Sequence, residues 1–253
     1  MNWIKNNILS CISFALVIVT ITIVLVASNY QKHKYGKQQA TTRELTLGAI
    51  SVAIAFILSF FGYTLPQGGT ITPASVLPIM LYCHYFGLKK GSIVCICFTL
   101  LQFMQNPFLL TPFQVILDYF LPYFALIFTA IIPFNRDKYS MLKNENKNTM
   151  PAHLGYIIGS VFYVVVRYVS HVLSGAIFFG EYAWDGWQAW PYSIVYNSFS
   201  IVDSAIAITI GIILFANKAF DTFMAKTLYA NQKTDCATKD DKRTTPSTNE
   251  WQR

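Results

Sequence analysis

The side chains best suited to chemistry are concentrated between Arg167 and Asn197, in the stretch RYVSHVLSGAIFFGEYAWDGWQAWPYSIVYN. It holds one arginine, one histidine, two carboxylates, three tryptophans and four tyrosines among apolar residues. Aromatic rings attract cations through their π faces, and histidine and asparagine add directional hydrogen bonds. P-loop, HExxH and GxSxG motifs are absent from the sequence. This set therefore favours non-covalent binding of a small ligand over catalysis.

The rest of the chain has the composition of a membrane protein. Of its 253 residues, 54% are hydrophobic and only 12% are charged, which is far from the balance of a soluble domain. Apolar runs recur along most of the length. They predict a polytopic protein in contact with the lipid bilayer and argue against a soluble enzyme. The net charge of +7 comes from Lys and Arg between the runs, so it indicates topology signals, and no nucleic-acid partner is expected.

Seven apolar segments predict the helices. Residues 8–27 form a run long enough to span a bilayer. A cleaved signal peptide is the alternative, but no small-residue cleavage site follows the run, which favours an uncleaved anchor. Further segments are predicted at 45–61, 72–86, 92–104, 113–134, 153–179 and 191–215, of which the second and third are short for a full span. The predicted fold class is all-α, with a six-helix core and one extra N-terminal transmembrane helix.

The chain is predicted to have three regions. Residues 1–43 form the N-terminal anchor and a basic cytoplasmic linker, and residues 44–217 form the six-helix, ligand-binding membrane domain. Residues 218–253 are polar and lack apolar periodicity. We expect this tail to be disordered and cytoplasmic.

The connectors alternate in charge. Basic residues lie in every second connector, at Lys32, Lys34, Lys37 and Arg43, at Lys89 and Lys90, at Arg136, Lys138, Lys143 and Lys147, and after the last span at Lys218 and Lys226. The connectors GYTLPQGGTIT, QNPFLLT and GEYAWDGWQAW contain no Lys or Arg. By the positive-inside rule, the basic connectors are cytoplasmic. This predicts a multi-pass protein of the cell membrane with its N-terminus outside and its C-terminus in the cytoplasm.

On this topology, four polar side chains share one depth just beneath the outer surface. His171 lies about 12 Å inside the outer end of its helix at 1.5 Å per residue. Asp118, Tyr192 and Asn197 lie in the first two turns of the neighbouring inward-running helices. A satisfied interhelical hydrogen bond for His171 and an interfacial belt for the tryptophans are the alternatives. The shared depth favours an outward-opening pocket for a small, flat, cationic heteroaromatic ligand.

Arg167 and Asp203 lie deeper than this set, near the bilayer centre. Charged groups at that depth survive in pairs. We therefore predict a structural ion pair between Arg167 and Asp203, in preference to a proton relay.

Several motifs resemble a known family of membrane receptors. LPQGGTITPASVLPIMLY, LDYFLPYFAL, RYVSHVLSGAIFFGEYA and PYSIVYN are similar to segments of the thiamine-binding S component of energy-coupling factor (ECF) transporters. The resemblance covers residues 43–215 and implies a six-helix receptor that captures thiamine from outside. It also implies docking onto a coupling module made of a transmembrane coupling protein and two ATPase subunits.

The resemblance also implies residue roles. The family's pyrimidine-binding carboxylate, its adjacent aromatic, its histidine, its tyrosine and its asparagine fall on Asp118, Tyr119, His171, Tyr192 and Asn197. The family often has a longer glutamate where this chain has aspartate.

Three further aromatic positions follow from the resemblance. A tryptophan that stacks on thiazolium falls on Phe179, and Trp184 is a candidate to compensate for that replacement. The aromatic of the first outer loop is best matched by Tyr63. The docking surface, a small-residue AxxxA motif, falls on Ala49 and Ala53, which would let another helix approach closely.

Other functions remain open from the residues alone. The cargo could be a thiamine precursor or another vitamin, and a membrane enzyme acting on lipid is the competing class. The sequence shows no nucleophile set for such an enzyme. Cys83, His84, Cys95 and Cys97 lack zinc-ligand spacing, so we expect neither a metal nor a cofactor.

Overall fold

The computed structural model describes residues 2–35, 40–66, 69–105, 107–132 and 150–224, with single residues at 134, 141, 144, 145, 147 and 226. Lys37, Arg136, Lys138, Lys143 and tail residues 227–253 lie outside the described residues, so the predictions made for them stay predictions. Within the described ranges the fold is all-α apart from one short hairpin.

Six helical elements are long and apolar enough to cross a membrane. The elements are α1 (Asn2–Tyr35), α2 (Thr42–Ser59), α3 (Leu77–Met104), α4 (Pro112–Ala130), α5 (Met150–Phe178) and α6 (Ala189–Ala216). The crossing part of α1 is Cys11–His33. Between α2 and α3, strands β1 (Tyr63–Thr64) and β2 (Thr70–Ile71) pair antiparallel.

The structure has six candidate spans within the described residues, whereas the sequence predicted seven. The segments predicted at 72–86 and 92–104 are joined in the single element α3, which is interrupted at Gly87 by a backbone of φ 79° and ψ 179°. The Sγ atoms of Cys83 and Cys95 lie 3.5 Å apart, although a straight helix would separate these residues by about 18 Å. The chain therefore reverses at Gly87, where a positive φ favours glycine.

Local signals explain where α2 and α4 begin. Thr41 caps α2, and Thr41 and Glu44 form a reciprocal capping box. Thr111 caps α4 through a hydrogen bond from the Gln114 N–H, and Pro112 follows at the first helical position. The cap at Thr111 sets the register of Gln114 and the residues after it.

Helices α4 and α6 both depart from regular α-helix near the same end of the bundle. In α4, residues Ile116–Phe120 form a π-helical turn. Pro122 follows, and it lacks the N–H that would bond the Asp118 carbonyl in an α-helix. In α6, regular helix ends at Tyr196 and resumes at Phe199. Interruptions of this kind in membrane helices are tolerated where the backbone lines a cavity.

Contacts show which helix ends lie together. At one end, Lys90 contacts Glu44 at 2.7 Å, His84 contacts His153 at 3.3 Å, and Gln31 donates to the Ala130 carbonyl at 2.8 Å. The end of α1, the start of α2, the reversal in α3, the end of α4 and the start of α5 therefore meet there. We call this the far end, because the cavity described below lies at the other.

The chain divides into two compact units, Met1–Gly211 and Ile212–Arg253. All of the site described below lies in the first unit. In the described part of the second unit, residues 218–224 are helical, and the Asn217 side chain caps them by accepting from the Ala219 N–H at 2.9 Å.

Candidate functional site

A cavity of about 620 Å³ lies between the hairpin and the ends of α2 to α6 that are opposite the far end. Its wall includes six of the predicted ligand-binding residues, Asp118, Tyr119, His171, Phe179, Tyr192 and Asn197. Residues from different helices therefore meet around one space, as their shared depth predicted. We call this region the cavity end.

Asp118 is the centre of the polar wall. Its Oδ2 accepts hydrogen bonds from Gln114 Nε2 and Ser174 Oγ, both at 2.7 Å. Its Oδ1 lies 3.3 Å from His171 Nδ1. The side chains of Asp118 and His171 are 17% and 15% exposed, so both groups remain accessible from the cavity.

Asn197 forms a second polar point, at the break in α6. Its Nδ2 donates to the Ser193 carbonyl at 2.9 Å and to Ser193 Oγ at 3.1 Å. Because the nitrogen is engaged within its own helix, the carbonyl oxygen is the atom that Asn197 offers to a ligand. Gly175 permits this packing, since a Cβ there would lie 2.2 Å from Ser193 Oγ.

Aromatic rings form the rest of the wall. The rings of Phe108 and Phe179 lie 5.7 Å apart, and those of Tyr192 and Tyr196 are stacked at 5.5 Å. Phe179, which the resemblance matches to a tryptophan, thus faces the cavity beside a second phenylalanine. Such rings suit a cationic, planar ligand.

Trp184 and Tyr63 are not part of the cavity wall that the structure describes. Trp184 is half exposed and packs edge-on against Tyr192 at 5.1 Å, so it supports one of the rings of the wall. Tyr63 lies in β1 and is 72% exposed. A two-residue strand on a solvent-facing hairpin leaves this ring exposed, and its predicted role in ligand binding stays a prediction.

Two tyrosines fasten loops over the cavity. The Phe108 N–H donates to Tyr119 OH at 2.8 Å, which attaches the α3–α4 connector. Tyr196 OH donates to the Pro66 carbonyl and accepts from the Gly69 N–H at 3.3 Å, which attaches the β-hairpin loop.

Arg167 and Asp203 form the predicted ion pair, and Arg167 Nη1 lies 2.8 Å from Asp203 Oδ2. The same Nη1 also donates to Tyr163 OH at 2.9 Å and to Ser204 Oγ at 3.0 Å. Asp203 Oδ1 accepts from the Thr72 N–H at 3.0 Å. The pair therefore links α5, α6 and the segment after β2, and Arg167 lines the cavity.

The predicted docking residues lie elsewhere, on α2. Ala49 and Ala53 are both exposed, next to Leu45, Ile50 and Ile54, which are also exposed. Helix α1 packs against α3, α4 and α5.

Sequence reasoning missed several wall and supporting residues, namely Phe108, Gln114, Ser174 and Tyr196. Helical spacing held a signal for three of them. Gln114 precedes Asp118 by four residues, Ser174 follows His171 by three, and Tyr196 follows Tyr192 by four, so each lies on the same face as a predicted residue. Phe108 lies in a connector, where no periodicity applies.

Comparisons with known proteins identify relatives of this chain. Residues 45–224 match the family described as Thiamine transporter protein (Thia_YuaJ). The chain is 30% identical over 172 residues to thiamine transporter ThiT of Bacillus subtilis, covering 68% of this chain and 87% of that protein. It is 26% identical over 183 residues to thiamine transporter ThiT of Lacticaseibacillus paracasei, covering 70% and 89%. A solved structure of ThiT from Listeria monocytogenes matches with a TM-score of 0.54 and 25% identity, over 70% of this chain and 96% of that one.

Proposed function

Because this chain belongs to the thiamine transporter protein family, we propose that it is the substrate-binding component of a thiamine uptake system and that thiamine binds in its cavity. It is a transport protein and not an enzyme. The observation that carries the site assignment is the polar group around Asp118, His171 and Asn197 on the wall of an aromatic-rich cavity of about 620 Å³. That volume falls within the range of about 300–1,000 Å³ typical of small-ligand pockets.

The cavity offers a partner for each half of thiamine. The aminopyrimidine half carries an exocyclic amine and ring nitrogens, which suit Asp118 Oδ1, the Asn197 carbonyl oxygen and the His171 ring. The thiazolium half is a flat cation, which suits the faces of Phe108 and Phe179. Binding requires no covalent step, and release requires a change of contacts between two states of the receptor.

Titration of the purified protein with thiamine, followed by intrinsic tryptophan fluorescence, tests this function. Trp184 contacts the ring of Tyr192 at 5.1 Å, so occupation of the cavity should change its emission, and Trp184→Phe should reduce the signal without abolishing binding. Hydroxymethylpyrimidine serves as the competing cargo. Saturable binding of thiamine in preference to this precursor is expected. Tighter binding of the precursor would reassign the cargo, and no saturation with either would refute the proposal.

We also propose that the cavity faces the outside of the cell. Exposed Arg43 and Lys89 lie near the far end, while residues 60–66, 69–76, 107–111 and 179–189 at the cavity end contain no Lys or Arg. The reversal at Gly87 supports counting α3 as two passes, and on that count we propose that the N-terminus lies outside and the tail in the cytoplasm. In intact cells, a membrane-impermeant maleimide should label Asp185→Cys and spare Lys89→Cys. The opposite pattern would invert the orientation.

Delivery into the cell is proposed to depend on an ATP-driven ECF coupling module, a transmembrane coupling protein with two ATPase subunits. The exposed pair Ala49 and Ala53 on α2 supports close approach of a partner helix at that face. We expect Ala53→Trp to block thiamine uptake by cells while thiamine binding to the purified variant stays normal. Loss of both would argue against docking at this face, and Val161→Trp, at an exposed position on α5, controls for bulk facing lipid.

A further inference from the structure

We propose that Gln114 and Ser174 are positioning residues that hold one oxygen of Asp118 and thereby present the other to the aminopyrimidine of thiamine. The proposal rests on the thiamine site described above and explains what orients the carboxylate of Asp118 in it. Neither residue belongs to the set that sequence reasoning placed in the site.

Both residues donate to the same carboxylate oxygen. Gln114 Nε2 and Ser174 Oγ each lie 2.7 Å from Asp118 Oδ2, one from within α4 and one from α5. Hydrogen bonds to a charged acceptor are stronger than those between neutral groups. Two such bonds from different helices restrain the carboxylate in both position and rotation.

The backbone determines which end of the Gln114 amide meets Asp118. The Leu110 N–H donates to Gln114 Oε1 at 3.2 Å. That oxygen must therefore point to the connector, and the NH₂ group is left to donate to the carboxylate. Gln114 is only 1% exposed. Its backbone N–H donates to the capping Thr111 Oγ1 at 3.2 Å. Both the oxygen and the nitrogen of the side-chain amide are therefore held before any ligand binds.

The consequence is that the two oxygens of Asp118 have different roles. Oδ2 is occupied by two short bonds, while Oδ1 has the longer contact of 3.3 Å to His171 Nδ1. A ligand amine therefore finds its acceptor in Oδ1. The position of Oδ1 depends on how the carboxylate is held, and a small displacement of Oδ1 would weaken a directional hydrogen bond.

The test compares thiamine with oxythiamine, in which a carbonyl oxygen replaces the exocyclic amine. Gln114→Met and Ser174→Ala each remove one donor to Oδ2 with little change in volume. We expect each variant to bind thiamine about tenfold more weakly and oxythiamine with nearly unchanged affinity, so that the preference for the amine falls by the same factor. A role limited to stability would lower the melting temperature and leave this preference as in the wild type.

Matched controls come from the same kinds of residue. Ser170 is buried on α5 and donates to the Leu117 carbonyl, next to Asp118 in sequence. Gln31 makes its bonds at the far end. Ser170→Ala and Gln31→Met should leave the thiamine-to-oxythiamine preference unchanged.

A double-mutant cycle gives a second measurement that needs thiamine alone. If Gln114 acts through Asp118, Gln114→Met should add little to the loss caused by Asp118→Asn, whereas independent effects would add. Additive losses, or an unchanged preference in both single variants, would overturn the proposal while leaving thiamine binding by the wild type intact. If Gln114→Met does not fold, Ser174→Ala and its own cycle with Asp118→Asn decide the result.

Discussion

The far end and the cavity end of the bundle both bury polar groups, but they satisfy them differently. At the far end, Glu44 and Lys90 are 3% and 7% exposed and contact each other at 2.7 Å. At the cavity end, Asp118 and His171 stay more accessible and sit beside a cavity. A charge inside a membrane helix needs a partner. At the far end, the partner of Glu44 is Lys90 of the same chain. At the cavity end, Asp118 Oδ1 is left as an acceptor for a ligand.

Arg167 and Asp203 combine the two arrangements. They form an ion pair at 2.8 Å, as Glu44 and Lys90 do at the far end. In addition, Arg167 lines the cavity and Asp203 accepts a hydrogen bond from the Thr72 N–H. This pair couples the floor of the cavity to the segment that follows the hairpin. Its substitution should therefore change stability and binding together, unlike substitutions at either end.

Breaking the far-end pair should have the largest effect, and on stability alone. Lys90→Met leaves the buried Glu44 carboxylate without its cation, which costs about 3–5 kcal/mol. We expect a large fall in melting temperature, and thiamine affinity of the folded fraction should be unchanged. The double variant Glu44→Leu with Lys90→Met should recover much of the loss. Weaker binding in the folded fraction would show that the two ends are coupled.

Asp118→Asn and His171→Ala should show the opposite pattern. Asp118→Asn removes the negative charge and His171→Ala removes the imidazole that face the cavity, so thiamine affinity should fall at least about tenfold while the melting temperature without ligand changes little. Fluorescence titration and thermal unfolding measure the two quantities. Near-normal affinity in either variant would remove that residue from the site.

A smaller effect is expected for Gln31→Leu, which tests what α1 contributes at the far end. Gln31 Nε2 donates to the carbonyls of Ala130 and Ile131, at 2.8 and 3.1 Å. Loss of both bonds should cost about 1–2 kcal/mol of stability, again without a change in thiamine affinity. Thr22→Leu, at an exposed position on the same helix, is the control and should be neutral. Equal losses in both variants would contradict a specific role for Gln31.

The smallest expected change is a gain at the cavity end. Phe179→Trp places the better cation-binding ring on the wall next to open space. We expect thiamine affinity to rise about threefold, measured by competition or titration, with stability nearly constant. A loss of affinity would show that the contact between Phe108 and Phe179 leaves no room for an indole.

Much of this protein was predictable from position along the helices. The family resemblance is confirmed by the match over residues 45–224, and the all-α class is confirmed. Asp118, His171, Tyr192 and Asn197 line one cavity, as their equal depth predicted, because each residue advances a helix by a constant rise of about 1.5 Å.

Other features depend on places where no such constant applies. Tyr63 lies in a hairpin, where the direction of a side chain depends on strand pairing and not on depth. Lys90 was predicted to be a topology charge, and the structure adds that it is buried against Glu44 at the far end. The segments predicted at 72–86 and 92–104 form one helical element, because they are joined through Gly87, whose backbone reverses the chain.

The sequence alone was enough to predict that this protein lies in a membrane and at what depth its polar groups lie. Hydrophobicity and helical rise are properties of a single segment, so both could be read without the fold. The tertiary structure decided which groups touch. The holding of Asp118 by Gln114 and Ser174, the pairing of Glu44 with Lys90 and the outward position of Tyr63 depend on how helices rotate about their axes and pack. Rotation and packing result from contacts among all helices together, and no segment specifies them by itself.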